Sequence, residues 1–262
     1  MVKGILHVHS DFSYDGINSI EEIANWAKSE KIDFVILTEH DNDFNDEKFD
    51  SYLEECRKNS NNIIIVPGIE YSFGKKRHIH INVFGIDQFL NTNNTIEDIP
   101  RFLKTVKSLN GIAVLNHPKS IVKELGFIDL SSLFGVELWN TKSDFLYSPD
   151  PRTYKLVKEK LMNKAVFVTS DIHTIPKNEY AKIISMETVA DINSVVTLIR
   201  NRSFYCVFNN AIIENTFKDI QLNKVLLFLA GSHHKTYRFL RSIKRVLGLN
   251  VSPKIVKMIK LK

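Results

Sequence analysis

Cysteine is scarce in this sequence: Cys56 and Cys206 are the two in 262 residues, and they form no Cys-x-x-Cys pair. That excludes a disulfide framework and a cysteine-built zinc site, and it favours a reducing compartment. Long apolar runs are missing as well. The longest, Val225–Ala230, falls far short of the roughly 20 residues that a membrane helix needs. No charged-then-apolar leader opens the chain, and a cleaved leader would carry away the first candidate functional residue, His7. A cytoplasmic protein is therefore expected. Acidic residues are absent from Ile220 onward, where ten Lys and Arg accumulate; of 35 basic residues this leaves 25 before that point, against 30 acidic ones. The net charge of +5 thus divides into an acidic body and a basic tail.

What is present has ordinary globular composition, 44% hydrophobic and 25% charged, in a chain long enough for a large core. Apolar β-type runs recur at Ile5–Val8, Phe34–Leu37, Ile63–Val66, His80–Phe84, Ile112–Leu115, Val136–Leu138, Ala165–Val168 and Ile183–Met186. Amphipathic stretches lie between several of them. Ser19 and Glu22 form a capping box ahead of Ile20–Glu30, with Ile20, Ile23, Ala24 and Ala27 on one face. Asp46 is placed to cap a helix reaching Lys58, and Ile96–Leu109 and Tyr154–Leu161 are further candidates. Alternation of this kind predicts an α/β fold with a parallel sheet, closed into a barrel because the units are so many.

Chemistry-bearing residues stand at the ends of these runs. His7 and His9 close the first, His40 follows the second, and Glu70 follows the third across a Pro-Gly turn. His117 follows Ile112–Leu115, and Asp171 with His173 follows Ala165–Val168. In a parallel β/α barrel the C-terminal strand ends share one rim, so these residues would converge. His80 is the exception, since it begins its run. On extended backbone, His7-x-His9 and Asp171-x-His173 would each present both side chains on one face. Imidazole and carboxylate donors without thiolate suit Zn, Mn or Fe and disfavour an all-oxygen calcium site. A carboxylate bridging two such metals holds them about 3.5–4 Å apart, and the pKa of a bound water falls to roughly 7. A lone histidine would mean little, but seven of the nine, His78 just ahead of His80 among them, fall in or beside these runs.

The segments "HVHSDFSYDG", "TEHD", "PGIEYS", "HIHINVFGI", "LNHP", "VELWN" and "TSDIHT" resemble, in order and spacing, the PHP (polymerase and histidinol phosphatase) family. The resemblance covers residues 1–210 and is closest to a branch that includes carbamate-hydrolase-like members. It implies a distorted seven-stranded β/α barrel that hydrolyses phosphoesters with a metal-activated hydroxide, at a site of two or three divalent ions. Carried over residue by residue, it implies that His7, His9, Asp171 and a bridging Glu70 hold one metal. Glu70, His80 and His117 would hold the second, and Asp15, His40 and His173 the third. Glu70, Asp171 and His173 would then be the catalytic group. His78 competes with His80 for its place, and Asp11 with Asp15. Glu39 and Asp41 would orient His40 or serve as ordinary loop residues. Glu137 and Asn140 would line the cleft or cap the rim, and Trp139 would stack on a substrate ring or lie partly buried.

Cationic side chains in the rim loops, Lys76, Arg77, Lys119 and Lys142, are candidates to bind a phosphorylated substrate, a small metabolite or nucleotide. Residues 211–262 are expected as a basic extension. On a helix through Tyr237–Leu247, Leu240, Ile243 and Leu247 oppose Arg238, Arg241 and Arg245. Such a face would pack on the barrel, bind nucleic acid or lie on an anionic membrane surface. The nucleic-acid reading would make the protein a 3′-to-5′ exonuclease. A non-catalytic, metal-binding scaffold is the remaining alternative.

Overall fold

Ser19 caps the first helix, α1 (Ile20–Ser29), as its sequence requires. Its hydroxyl accepts from the Glu22 amide while the Glu22 carboxylate accepts from the Ser19 amide, and Ile20, Ile23, Ala24 and Ala27 are buried beneath. The computed structural model describes residues 1–217 except 62 and 123, together with residue 232. The expected helix through Tyr237–Leu247 lies outside the described residues.

The next helix, α2 (Asp46–Lys58), starts where expected, but its cap is Asn45, whose side chain accepts from the Lys48 amide, and not Asp46. The helix α3 (Ile99–Ser108) begins later than the apolar pattern suggests because Pro100 occupies its first turn, a position where the missing N–H is no loss. Asp150 caps α4 (Pro151–Lys160) through the Arg152 amide. A fifth helix, α5 (Ile192–Arg200), opens on a reciprocal Asp191–Ser194 cap that the sequence reading passed over.

The strands are β1 (Val2–Val8), β2 (Phe34–Leu37), β3 (Glu39–His40), β4 (Ile64–Val66), β5 (Gly68–Phe73), β6 (Ile79–Phe84), β7 (Ile112–Leu115), β8 (Gly135–Asn140), β9 (Ala165–Thr169), β10 (Lys182–Ser185), β11 (Tyr205–Phe208) and β12 (Ala211–Glu214). Every expected apolar run falls on one of them to within a residue or so. They form two six-stranded mixed sheets, ordered β12-β11-β10-β1-β2-β4 and β3-β5-β6-β7-β8-β9. The class is thus α/β, but the sheet is not parallel throughout. Pairs β1–β2, β2–β4, β3–β5, β7–β8 and β8–β9 are parallel, whereas β5–β6, β6–β7, β1–β10, β10–β11 and β11–β12 are antiparallel. The turn between β5 and β6 explains one reversal, since a parallel crossover needs about a dozen residues or more.

Strands β2, β7 and β9 are buried along their whole length, which is why they read as continuous apolar runs without alternation. The two sheets are joined by the chain itself. Only Thr38 separates β2 from β3 and only Pro67 separates β4 from β5, so one parallel strand pair runs through both sheets. At the other side, a parallel bridge links Val8 to Ile172, with the His9 amide donating to the Ile172 carbonyl at 2.8 Å. Beyond β12, Asn215 and Phe217 are still buried against the body. Among the described residues no helix is long and apolar enough to cross a membrane.

Candidate metal centre

The first ligand segment departs from regular strand geometry at His7. The pairing of β1 with β2 shifts register between Leu6 and Val8, and His7 has a φ of 72°. Period-two alternation therefore does not explain why His7 and His9 converge; a bulge does. Bulges re-aim side chains beside functional sites. His117 (φ 28°) and Asp171 (φ 49°) are also left-handed. Non-glycine residues hold such a conformation at a cost of about 1–3 kcal/mol each, and they cluster where function demands it. Gly16 has a different constraint: a Cβ there would collide with the Ser10 carbonyl oxygen. The tight loop from Ser10 to Gly16 that brings Asp15 to the cluster depends on it.

Glu70, buried at the centre, touches five imidazoles. Its Oε1 lies 3.4 Å from His7 Nε2, 3.0 Å from His80 Nδ1 and 3.5 Å from His117 Nε2. Its Oε2 lies 3.6 Å from His9 Nε2 and 3.1 Å from His40 Nδ1. Asp171 Oδ1 stands 3.5 Å from both His7 Nε2 and His9 Nε2, and 3.3 Å from His173 Nδ1. Asp15 spans His40 (3.3 Å) and His173 (3.0 Å). All nine expected ligands thus gather in one cluster. Ligand atoms of His7, His9 and Glu70, of His7, His117 and Asp171, of Glu70, His80 and His117, and of His9, His40 and His173 each lie within 4.8 Å of one another.

The outward-facing nitrogens are fixed from behind. His7 Nδ1–H donates to Glu137 Oε1 at 2.5 Å, and Glu137 also accepts from Thr169 Oγ1 (2.6 Å), the His117 amide (2.9 Å) and Asn140 Nδ2 (3.2 Å). His9 Nδ1–H points to Ser13 Oγ at 3.3 Å, and Ser13 in turn donates to buried Glu39. Both rings therefore keep Nε2 for the cluster, where these two buried nitrogens have no hydrogen-bond partner. An orphaned buried acceptor costs about 1–3 kcal/mol. Here two such acceptors converge with two carboxylates on the same space, an arrangement that a cation resolves. The residues fit a divalent metal of the imidazole–carboxylate type.

The electrostatics agree. Burial alone would raise the Glu70 carboxyl, but the His7 charge and the neighbouring His117 and His40 imidazoles hold it well below the usual carboxylate range. Burial would likewise raise Asp171, and His7 and His9 hold it well below normal. Burial pushes His9 down to about 4, outweighing the nearby Asp171 and Glu70 carboxylates, so that ring is neutral and its lone pair available. His7 goes the opposite way: Glu137, Asp171 and Glu70 overcome burial and raise it well above normal. Glu137 sets the orientation of His7, so Glu137→Gln is expected to weaken metal binding about 10–100-fold with little change in fold. Metal-competition titration of the purified variant checks this, and unchanged affinity would remove Glu137 from that role.

Several expectations are resolved by placement. His80, not His78, joins the cluster; the His78 ring lies against Gly74. Asp15, not Asp11, reaches His40 and His173. Lys119 turns away to Asp144 (2.9 Å) and the Ser143 carbonyl, and Arg77 is engaged by Asp41 (2.7 Å) and Ser72 (2.8 Å). Lys76 is exposed. Lys142 alone of these cations touches the cluster, 2.8 Å from His173 Nδ1 and 3.4 Å from Asp171 Oδ1. Trp139 is buried, with its indole N–H donating to the Phe145 carbonyl and its ring edge-on to Phe208. It is unavailable to a substrate. The sequence reading missed Tyr14, an exposed ring stacked on His40 at 4.9 Å, and Asn116, which donates to Glu70 Oε1 at 2.6 Å. Both lie inside quoted motifs, but nothing in their spacing distinguishes them from loop residues.

Fold and cluster together define a mixed α/β protein that gathers imidazoles and carboxylates able to hold metal on and just beyond its strands; Glu70 stands within β5 and not at a strand end. The chain belongs to the PHP domain family, whose profile matches residues 6–144, more than half of its length. None of the curated proteins compared matches the chain. Among solved structures it is similar to PsfC from Pseudomonas syringae, at 14% identity over 75% of this chain and 89% of that one, with a TM-score of 0.50. A Bifidobacterium adolescentis protein, assigned provisionally as a metal-dependent phosphoesterase, matches at 14% identity over 75% of this chain and 96% of that one (TM-score 0.49). An amidohydrolase from Chromobacterium violaceum matches at 16% identity over 65% and 87% (TM-score 0.46). At such identities the likeness to PsfC is one of fold.

Proposed function

We propose that the protein is a metal-dependent phosphoesterase that hydrolyses a small phosphorylated metabolite or nucleotide. The observation that carries this reading is the pair of buried, partnerless nitrogens, His7 Nε2 and His9 Nε2, facing Glu70 and Asp171. We read the two sheets as parts of one distorted seven-stranded barrel. The strand pair shared between them joins one side, and the Val8–Ile172 bridge closes the other.

His7, His9, Asp171 and Glu70 would hold one ion, Glu70, His80 and His117 a second, and Asp15, His40 and His173 a third. Zn, Mn or Fe bound there supplies Lewis acidity to a phosphoryl oxygen and activates water at neutral pH. Glu70 and Asp171 remain anionic and fix the spacing of the cluster. Lys142, about half exposed beside Asp171 and His173, is placed to bind an anionic oxygen of the phosphoryl group. Tyr14 walls the entrance against His40. A phosphate entering between them meets positive charge on one side and an aromatic face on the other.

The test is elemental analysis of the purified protein, paired with turnover of a chromogenic phosphomonoester and phosphodiester with and without Mn. Two or three ions per chain, with turnover lost to a chelator and restored by Mn, is the expected result. A metal-free protein with no rescue would overturn the reading.

A further inference from the structure

The turn between β5 and β6 carries a left-handed non-glycine residue just before the His78 amide closes the hairpin on the Phe73 carbonyl. Arg77 has a φ of 46°, and its amide donates to the Gly74 carbonyl at 2.7 Å. The consequence is the direction of its carbonyl, which accepts from His80 Nε2–H at 2.8 Å. That bond holds the ring by its Nε2–H and turns Nδ1 toward Glu70 Oε1 at 3.0 Å, inside the cluster, where Nδ1 hydrogen-bonds the carboxylate and would give its lone pair to a bound cation instead. A ring without a proton on Nε2 would set a lone pair against the carbonyl lone pairs and lose this anchor.

The Arg77 side chain secures this conformation. Nη2 donates to Asp41 Oδ1 at 2.7 Å, Nε donates to Ser72 Oγ at 2.8 Å, and Ser72 Oγ donates to the same Asp41 oxygen at 2.8 Å. With its amide oriented to satisfy both ends, Asn94 accepts from Nη1 at 3.2 Å. All three guanidinium nitrogens are thereby committed. Ser72 is the cross-strand partner of His80, and Asp41 directly follows His40. One cluster of polar bonds therefore ties the turn that directs His80 to the segment that carries His40.

We propose that Arg77 is a positioning residue for His80, locked by Asp41 and Ser72, and not a cation that grips substrate. This rests on the reading of His80 as a metal ligand. Losing such an orienting partner typically weakens metal binding 10–100-fold.

The test compares wild type with Arg77→Ala, Arg77→Lys and Asp41→Asn in the full chain. Histidine ring protons are observed by 15N-edited NMR in the metal-free protein, and Zn and Mn affinities by competition with a chelating dye. The expected result is a resolved, slowly exchanging Nε2–H of His80 in wild type, lost to exchange in Arg77→Ala and Asp41→Asn, with metal binding weaker by about 10-fold or more. Arg77→Lys, which keeps the charge on Asp41 but cannot also bridge to Ser72, should fall between. Thermal unfolding by circular dichroism confirms that each variant is folded. A His80 Nε2–H exchange rate and metal affinity unchanged in Arg77→Ala, with KM for a chromogenic phosphoester raised, would overturn the proposal and return Arg77 to substrate binding. Should wild type bind no metal, the phosphoesterase reading fails, and the ring-proton comparison still decides whether Arg77 positions His80.

Discussion

Replacing Glu70 by glutamine is expected to lower kcat/KM for a phosphoester by about a thousandfold, on the order of 4 kcal/mol, and to remove at least one metal ion per chain. No other side chain in the cluster contacts five histidines. Glutamine matches its shape, so the surrounding packing survives. What is lost is the negative charge and one of two equivalent oxygens, since an amide offers one acceptor where a carboxylate offers two. The Asn116 amide, which donates to Oε1 at 2.6 Å, would face either the remaining carbonyl or a like donor. Elemental analysis and steady-state kinetics on the same preparation separate the outcomes. Full metal content with turnover within tenfold of wild type would show that Glu70 bridges nothing.

Metal binding should also be visible with no substrate present. At a free metal concentration about a hundred times Kd, mass action adds roughly 2.7 kcal/mol to stability. At about 2–4 °C per kcal/mol for a body of this size, the melting temperature should rise by about 5–10 °C. His7→Ala combined with His9→Ala should abolish the rise. The effect carries a pH signature whose sign follows from the histidine shifts. Burial lowers His40 and His80, but the bonds to Glu70 prevail and raise both above 6.5 in the folded protein, as its carboxylate neighbours raise His7. Groups raised on folding contribute stability in full below the unfolded value near 6.5, and that contribution fades as pH rises through the folded values. Metal competes for the same lone pairs, so its stabilisation should grow over the window in which the protonic contribution fades. Scanning calorimetry of metal-free and metal-loaded protein across that range is the check. A melting temperature indifferent to Mn and Zn at every pH would contradict a metal site.

Much of this protein is legible in one dimension. Apolar runs such as Phe34–Leu37 and Ala165–Val168 mark buried strands because no polar residue interrupts them. The Ser19–Glu22 cap fixes where α1 begins because both of its bonds are local. Donor chemistry is legible too: imidazoles and carboxylates at or beside apolar runs, with no thiolate, stand in the sequence before any coordinates do. The reversal of β6 was not, since strand direction depends on which edges meet and apolar content is the same either way. Nor was the left-handed backbone at His7, His117 and Asp171, where long-range packing overrides what each residue prefers alone.

The sequence by itself determined the donor set, eight of the strands and four of the helices of the body, and the division between an acidic body and a basic tail, because these are properties of residue types and short-range order. Tertiary structure alone decided that His80 and Asp15 are chosen over His78 and Asp11, and that Lys142 reaches the cluster while Lys119 and Arg77 are bound to Asp144 and Asp41. It also decided that Glu137 holds the back of His7 from 130 residues away. A partner at that separation is set by how the strands close on one another, and no local pattern records it.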